Sequence, residues 1–547
     1  MEPEREPLLS GTQPTAARSW RKPSPRRIIV GLTLAFALVS ITVLAARQLG
    51  TSTEQRRIRS LESEIEALRR EWGVRGVSVA VVRRNEVLMA RGFGERNEKG
   101  EPVTADTLFG IGSCTKAFTS LLVGQLVEQG KLSWTTPVTT LHPASFKDPI
   151  AASEATLIDI LSHQTGLARH DALYGFWNTT DDWLSRVRHL EPFASFRSTY
   201  QYNNFMYLLA GDIVRNVTGK ASWAEALRAG ILAPLNMTNT IGTHQEMPGS
   251  PDHARSFDAK GNLMPYEMDG PLGPSSSEGA ISTSANDVTQ WLRALLGRGT
   301  LSGTQLVNDA TFEQLTRPHK TIEGPRTKDL GYSSYALGWG VVTYRGHHSV
   351  THTGGLLGFT TYLRIFPDDD LAYIVMSSTG LGGVGELPGI LSEVIAERLL
   401  FPEIPQTSKR SDAAREEQRK GEERARRAEE ERKSSRLNGT SPSHPLNDYE
   451  GTYTHPAYGR IKITRPTATS PNLHARVLNS GSKIAFDLVH WHLDVFAPVV
   501  DASVNPLAAA TVGNFAFEMD PATGAVRACM VPLDPAVVPG ERFVRDA

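Results

Sequence analysis

Ser113 and Lys116 stand three residues apart in the stretch Phe109-Gly110-Ile111-Gly112-Ser113-Cys114-Thr115-Lys116-Ala117-Phe118. Phe118, Leu121, Leu122 and Leu126 follow at helical spacing, so the stretch predicts a helix starting near Ser113. Residues three apart share one helix face, which puts the lysine beside the hydroxyl. Serine is a weak nucleophile until an adjacent base takes its proton. A lysine desolvated at the foot of a buried helix loses proton affinity and can be that base. The helix N-terminus adds a positive field where an oxyanion would form. Four residues alone match often by chance, and a capped helix with a surface lysine reads equally well.

The surrounding elements give the pair a setting. Gly76 to Arg91 reads as a Val-rich hairpin turning at Arg83-Arg84-Asn85-Glu86. Leu157 to Leu167 reads as a short helix ending at Gly166, and Phe205 to Val214 as an apolar helix. Gly279 to Asp287 caps a helix through Leu296. Strands are expected at Ala336 to Tyr344, Phe359 to Phe366 and Ala372 to Ser377. Sheet at both ends with helices between is an α+β arrangement with a helical region.

Two further boxes lie in order after Ser113: Tyr202-Asn203-Asn204 and His352-Thr353-Gly354-Gly355. With Ser113-x-x-Lys116 they make the chain resemble the serine β-lactamase and penicillin-binding-protein superfamily, in its class C-like branch of esterases and D-amino-acid peptidases. Leu161-Ser162-His163-Gln164-Thr165-Gly166-Leu167 and Gly338-Trp339-Gly340 also fit, and the likeness spans roughly residues 55–400. It implies a β-lactamase/transpeptidase-like fold, an antiparallel sheet with helices on both faces. It also implies an acyl-serine hydrolase acting on an ester or amide without metal or cofactor. Ser113 would be the nucleophile, with Lys116 and Tyr202 sharing the proton work. Asn204 would bind Lys116 and orient substrate; its alternative is a helix cap, with Asn203 the rival position. Thr353 and Gly354 would form the strand edge, and the N–H groups of Gly355 and Ser113 the oxyanion hole. His352 stands where penicillin-recognising relatives carry lysine. It is expected to reach Tyr202 or a substrate carboxylate, and being only partly charged at neutral pH it weakens a preference for anions. A structural histidine is the alternative. True β-lactamase activity and a catalytically silent scaffold remain the rival functions.

The net charge is −1 over 547 residues, which gives no electrostatic case for nucleic acid. The two cysteines, Cys114 and Cys529, do not read as a disulfide, and Cys114 reads as a small inward-packing residue. His347, His348 and His352, and His163 with His170, lack acidic or thiol partners at ligand spacing and read as loop or hydrogen-bonding histidines. Residues 28–46 form a run of 19 without a charge, enough to cross a bilayer. Arg18, Arg21, Lys22, Arg26 and Arg27 precede it, against Arg47 and Arg56 after it, so residues 1–27 are expected in the cytosol. A cleaved signal peptide is the alternative. Sequons at Asn178, Asn216, Asn236 and Asn438 fit a lumenal or extracellular body. Glu4, Leu8 and Leu9 resemble an acidic dileucine signal for a sorting adaptor of the endolysosomal or vacuolar pathway, with an ordinary tail as the alternative.

The organisation expected is therefore a tail at 1–27, a signal-anchor at 28–46 and a catalytic domain at 54–402. A charged linker follows at 406–444, read as a solvated helix or a disordered stretch. Residues 446–547 carry six short strands from Gly459 to Met530 and read as a small antiparallel barrel or sandwich. The substrate is read only as a small molecule or peptide.

Overall fold

The Val-rich segment Val77-Ser78-Val79-Ala80-Val81-Val82 lacks polar alternation because both of its faces are covered, and every one of these residues is buried. The computed structural model describes residues 54–547 apart from 178, 259–260, 265–276, 325, 357, 381–385, 402–408, 480–483, 501–511, 535 and 538. The apolar run 28–46, the dileucine-like segment and Asn178 lie outside the described residues. No helix among the described residues is long and apolar enough to cross a membrane.

Gly76–Arg83 pairs with Glu86–Gly94 through a turn at Arg84, which adopts φ 54°. The hairpin forms one edge of an eight-stranded antiparallel sheet. Its order is Glu86–Gly94, Gly76–Arg83, Leu371–Ser377, Phe359–Phe366, His347–Leu356, Gly340–Tyr344, Leu330–Tyr335, Lys320–Ile322. Leu371–Ser377 is buried at every residue, and Tyr373 donates from its hydroxyl to the Ser392 carbonyl of the covering helix Leu387–Leu400. The expected strand from Ala336 starts only at Gly340. Before it the chain turns at Gly338, with φ 84° and a 2.7 Å bond from the Ala336 N–H to the Trp339 carbonyl.

Ser113 sits in a 3₁₀ turn, Gly112–Cys114, which runs into the helix Thr115–Glu128. The first ten residues of that helix are buried. Phe118 stacks on Trp291 of the helix Ala285–Leu296 at 3.9 Å between centroids. The helix Phe205–Thr218 packs beside it and ends at Gly219, whose φ of 65° suits glycine. The helix expected over 157–167 ends at Leu161. His163 turns the chain with φ 60°, and its carbonyl and ring accept N–H bonds from Gln201 and Asn203 instead. Cys114 and Cys529 are both buried thiols, and burial pushes both well above the usual thiol range.

The charged stretch is a helix, Lys409–Ser434. Arg410 ties it to the body through Glu393 at 2.7 Å, Glu397 at 2.8 Å and Asp329 at 2.9 Å. Beyond it a closed antiparallel barrel of eight strands runs from Gly451–His455 to Glu541–Arg545. The terminal strands, absent from the sequence reading, close it through Tyr453–Arg545 and Thr454–Val544, which leaves no open sheet edge. Residues 60–547 form one compact unit. Asn216, Asn236 and Asn438 are all exposed.

Candidate active site

The site starts from one buried nitrogen. Lys116 is fully buried, and its Nζ has three partners: Ser113 Oγ at 3.1 Å, Asn204 Oδ1 at 2.8 Å and the Glu278 carbonyl at 2.9 Å. A neutral amine has two N–H donors and one lone pair. Asn204 Oδ1 and the Glu278 carbonyl can only accept, so they take both donors. The lone pair is left facing the Ser113 hydroxyl. The same three partners also serve an ammonium, so a proton can pass from Ser113 to Lys116 without rearrangement. Burial lowers the lysine pKa to about 7, with the nearby Glu278 opposing that fall.

Two neighbouring asparagines divide the work at the start of the helix Phe205–Thr218. Asn203 caps it, accepting the Met206 N–H at 3.3 Å and donating to the Ala168 carbonyl at 2.5 Å. Asn204 makes no cap bond and is free for Lys116. Its Nδ2 donates to Asp171 Oδ1 at 3.0 Å, which fixes the amide so that its oxygen faces the lysine. Tyr202 lies against the pair. The Lys116 Nζ lies 4.9 Å from its ring centroid, and the Ser113 hydroxyl nearby opposes the effect of burial on the phenol. Burial pushes this phenol well above its ordinary value, so Tyr202 carries its proton at neutral pH. The ring packs on His163 at 4.3 Å and under the Arg169 guanidinium at 4.9 Å.

His352 points to a different hydroxyl from the one expected. Tyr335, two strands away in the sheet, bonds its Nε2 at 2.7 Å, whereas the Tyr202 ring is 6.5 Å from the imidazole. Nδ1 bonds the Thr353 carbonyl at 2.6 Å, so Nδ1 donates and Nε2 accepts from Tyr335. Burial first, and the Lys116 charge second, depress its pKa to about 3. His352 is therefore neutral, and the permanent cation among the residues lining the cleft is Arg169. The cleft has a volume of about 590 Å³; Ser113, Tyr202, His352, Thr353, Gly354 and Gly355 all line it.

The strand His347–Leu356 passes so close to the nucleophile turn that side chains do not fit between them. A Cβ on Gly354 would lie 1.9 Å from the Ile111 carbonyl oxygen, and one on Gly112 2.8 Å from the Gly355 nitrogen. Gly354→Ala is expected to separate strand from turn. It should cost about 1–3 kcal/mol of stability and most of the activity, read by thermal unfolding and ester hydrolysis on one preparation.

Four residues of the centre carried no sequence signal. Glu278 is a fully buried carboxyl that accepts the Tyr174 hydroxyl at 3.0 Å. Burial raises its pKa to about 7. Arg169 and Asp171, paired at 2.7 Å, and Tyr174 come from the segment after Leu167.

A family model for Beta-lactamase matches residues 61–387, more than half of the chain. The chain belongs to the β-lactamase family. It is a serine hydrolase of that type, and a second model, Domain of unknown function (DUF3471), matches residues 435–541. This β-lactamase-family chain is 29% identical over 417 residues to the unguisins hydrolase ungD' of Aspergillus campestris, covering 72% of this chain and 75% of that one. It is 27% identical over 526 residues to the unguisins hydrolase ungD of Aspergillus violaceofuscus, covering 87% and 88%. Among solved structures, the octameric penicillin-binding protein homologue from Pyrococcus abyssi aligns with a TM-score of 0.56 at 21% identity, over 89% of this chain and all of that one. The D-amino acid amidase from Ochrobactrum anthropi SV3 in complex with D-phenylalanine aligns with a TM-score of 0.51 at 23% identity, over 62% and 98%. These two likenesses are of fold.

Proposed function

We propose that this enzyme cleaves an ester or amide bond of a small-molecule or peptide substrate through an acyl-Ser113 intermediate. The observation that carries the reading is the lone-pair face of the Lys116 amine turned on the Ser113 hydroxyl, its two N–H groups already engaged. Lys116 takes the serine proton as Oγ attacks the carbonyl carbon. The tetrahedral oxyanion is held by the N–H groups of Ser113 and Gly355. Tyr202, protonated and next to Ser113, passes a proton to the departing amine or alcohol, and Lys116 restores it. Water then attacks the acyl-enzyme by the same route in reverse and releases the acid. Asn204 keeps the amine aimed, and His352 with Tyr335 shapes the cleft wall. The likeness to the unguisins hydrolases supports hydrolysis as the reaction.

The test is hydrolysis by the purified protein of a panel of aryl esters, D-amino-acid amides and a chromogenic cephalosporin, with Ser113→Ala alongside. Turnover of an ester or amide lost in the variant supports the reading. Cephalosporin turnover alone would favour a β-lactamase, and a folded protein inert to the whole panel would favour the silent scaffold.

We also propose that residues 28–46 anchor the chain as a single-pass type II membrane protein. The catalytic body would face the lumen or the outside, with the tail at Glu4, Leu8 and Leu9 open to a sorting adaptor. The uncharged run, the cation bias before it and the exposure of Asn216, Asn236 and Asn438 as glycan acceptors support this. In sealed microsomes the body should resist added protease and run faster after glycosidase treatment. Digestion of the body, or release of the whole chain by carbonate, would contradict it.

A further inference from the structure

The segment from Arg169 to Trp177 has two sides. Arg169, Asp171 and Tyr174 face the catalytic centre: the guanidinium lies over Tyr202, the carboxylate orients Asn204 and the phenol bonds Glu278. His170, Phe176 and Trp177 face the C-terminal barrel. His170, fully buried with φ 51°, donates its backbone N–H to Asp534 Oδ2 at 2.6 Å. Its ring donates from Nε2 to the Glu191 carbonyl at 3.4 Å and accepts the Tyr458 hydroxyl at Nδ1 at 3.0 Å. Phe176 lines a small apolar cavity together with the barrel's Ile461, Val477, Phe486 and Phe515, and its ring meets Tyr458 edge-on at 5.1 Å. Its carbonyl accepts the Asn479 side-chain N–H at 3.0 Å. Trp177 Nε1 donates to the Ala457 carbonyl at 2.8 Å.

Among the described residues, helix in this segment is limited to the single turn Leu173–Phe176. A segment this short does not hold three side chains in place through its own backbone bonds. The grip at His170 and Phe176 does.

We propose that the C-terminal barrel is a working part of the acyl-transfer site. By clamping His170 and Phe176 it sets Arg169, Asp171 and Tyr174, and through Asn204 and Glu278 it fixes where the Lys116 amine points. Asp171, Tyr174 and the barrel's Tyr458, Asp534 and Asn479 are then positioning residues, since none of them touches the reacting atoms. Arg169 lines the cleft, where a bound substrate would meet it. The inference rests on the acyl-serine reading above.

The test uses the full chain. Asp534→Asn and Phe176→Ala, singly, are compared with wild type and with His474→Ala, a change at a partly exposed barrel residue whose ring pairs with Asp487. Two quantities are read: the rate of Ser113 labelling by a fluorophosphonate, and hydrogen exchange across residues 168–177. Both clamp variants should label more slowly, by about tenfold, while keeping a cooperative unfolding transition. Exchange in the segment should rise, and His474→Ala should match wild type. The labelling losses of Asp534→Asn and Asp171→Asn should not multiply in the double variant, because one acts through the other. Independent, multiplying losses would mark general damage to the fold and overturn the proposal. Clamp variants that label at the wild-type rate with unchanged exchange would also overturn it. A wild type that takes no label overturns the acyl-serine reading itself, a result separate from the variants' exchange.

Discussion

Lys116→Met should lose hydrolysis by about 10³-fold or more while the protein still folds. Methionine fills nearly the same buried volume, so no large cavity opens. The loss is electronic. Ser113 keeps its place but has no group to take its proton, since Tyr202 is protonated and His352 is bonded to Tyr335. Two acceptors, Asn204 Oδ1 and the Glu278 carbonyl, lose their donor, which should lower stability by about 1–3 kcal/mol each where no water enters. The wild-type pH profile carries the same argument. The active form is the free amine, and burial has lowered the lysine pKa to about 7. Activity therefore rises with pH through about 7 and is lost below it. Glu278 titrates in the same range, so the limb belongs to the pair. The groups facing the amine are Glu278 and Asp171, which favour its ammonium form, and Arg169, which opposes it. Removing the first in Glu278→Gln lets the lysine pKa fall further, so the acid limb should move to lower pH. An unmoved limb, or one moved upward, would show that another group governs it.

Ser113→Ala should lower kcat by about 10⁴- to 10⁶-fold, as expected where a nucleophile is removed outright. The Ser113 side chain is small and half-buried, so stability should change by no more than about 1 kcal/mol. Ser113→Ala combined with Lys116→Met should be no worse than Ser113→Ala alone, because the two act as one unit. Losses that multiply would mean that the lysine works on something other than Ser113.

Much of the centre was legible because its spacing is local. Ser113 and Lys116 are three residues apart, and the helix that joins them needs only the apolar period of Phe118, Leu121, Leu122 and Leu126. The hairpin Gly76–Arg91 was readable from two Val-rich runs and a polar turn between them. Which asparagine caps and which binds the lysine was not readable. Asn203 and Asn204 share a chemistry, and Asp171, 33 residues away in the chain, decides between them. The partner of His352 was missed for a similar reason. Tyr335 reaches it through sheet order, which a pattern of short strands does not disclose. Arg169, Asp171 and Tyr174 lie in a stretch without periodicity, and their places come from contacts on both sides of it. The barrel's outer strands, Gly451–His455 and Glu541–Arg545, meet each other only on closure.

The central claim is that Ser113 is an acylated nucleophile switched on by Lys116. The most direct measurement is peptide mapping, by mass spectrometry, of the full-length protein after a fluorophosphonate probe at pH 8. The account predicts one phosphonyl adduct on Ser113, absent from Ser113→Ala and slowed by about 10³-fold in Lys116→Met. An adduct on any other residue, or equal labelling of Ser113 with and without the lysine, would contradict it.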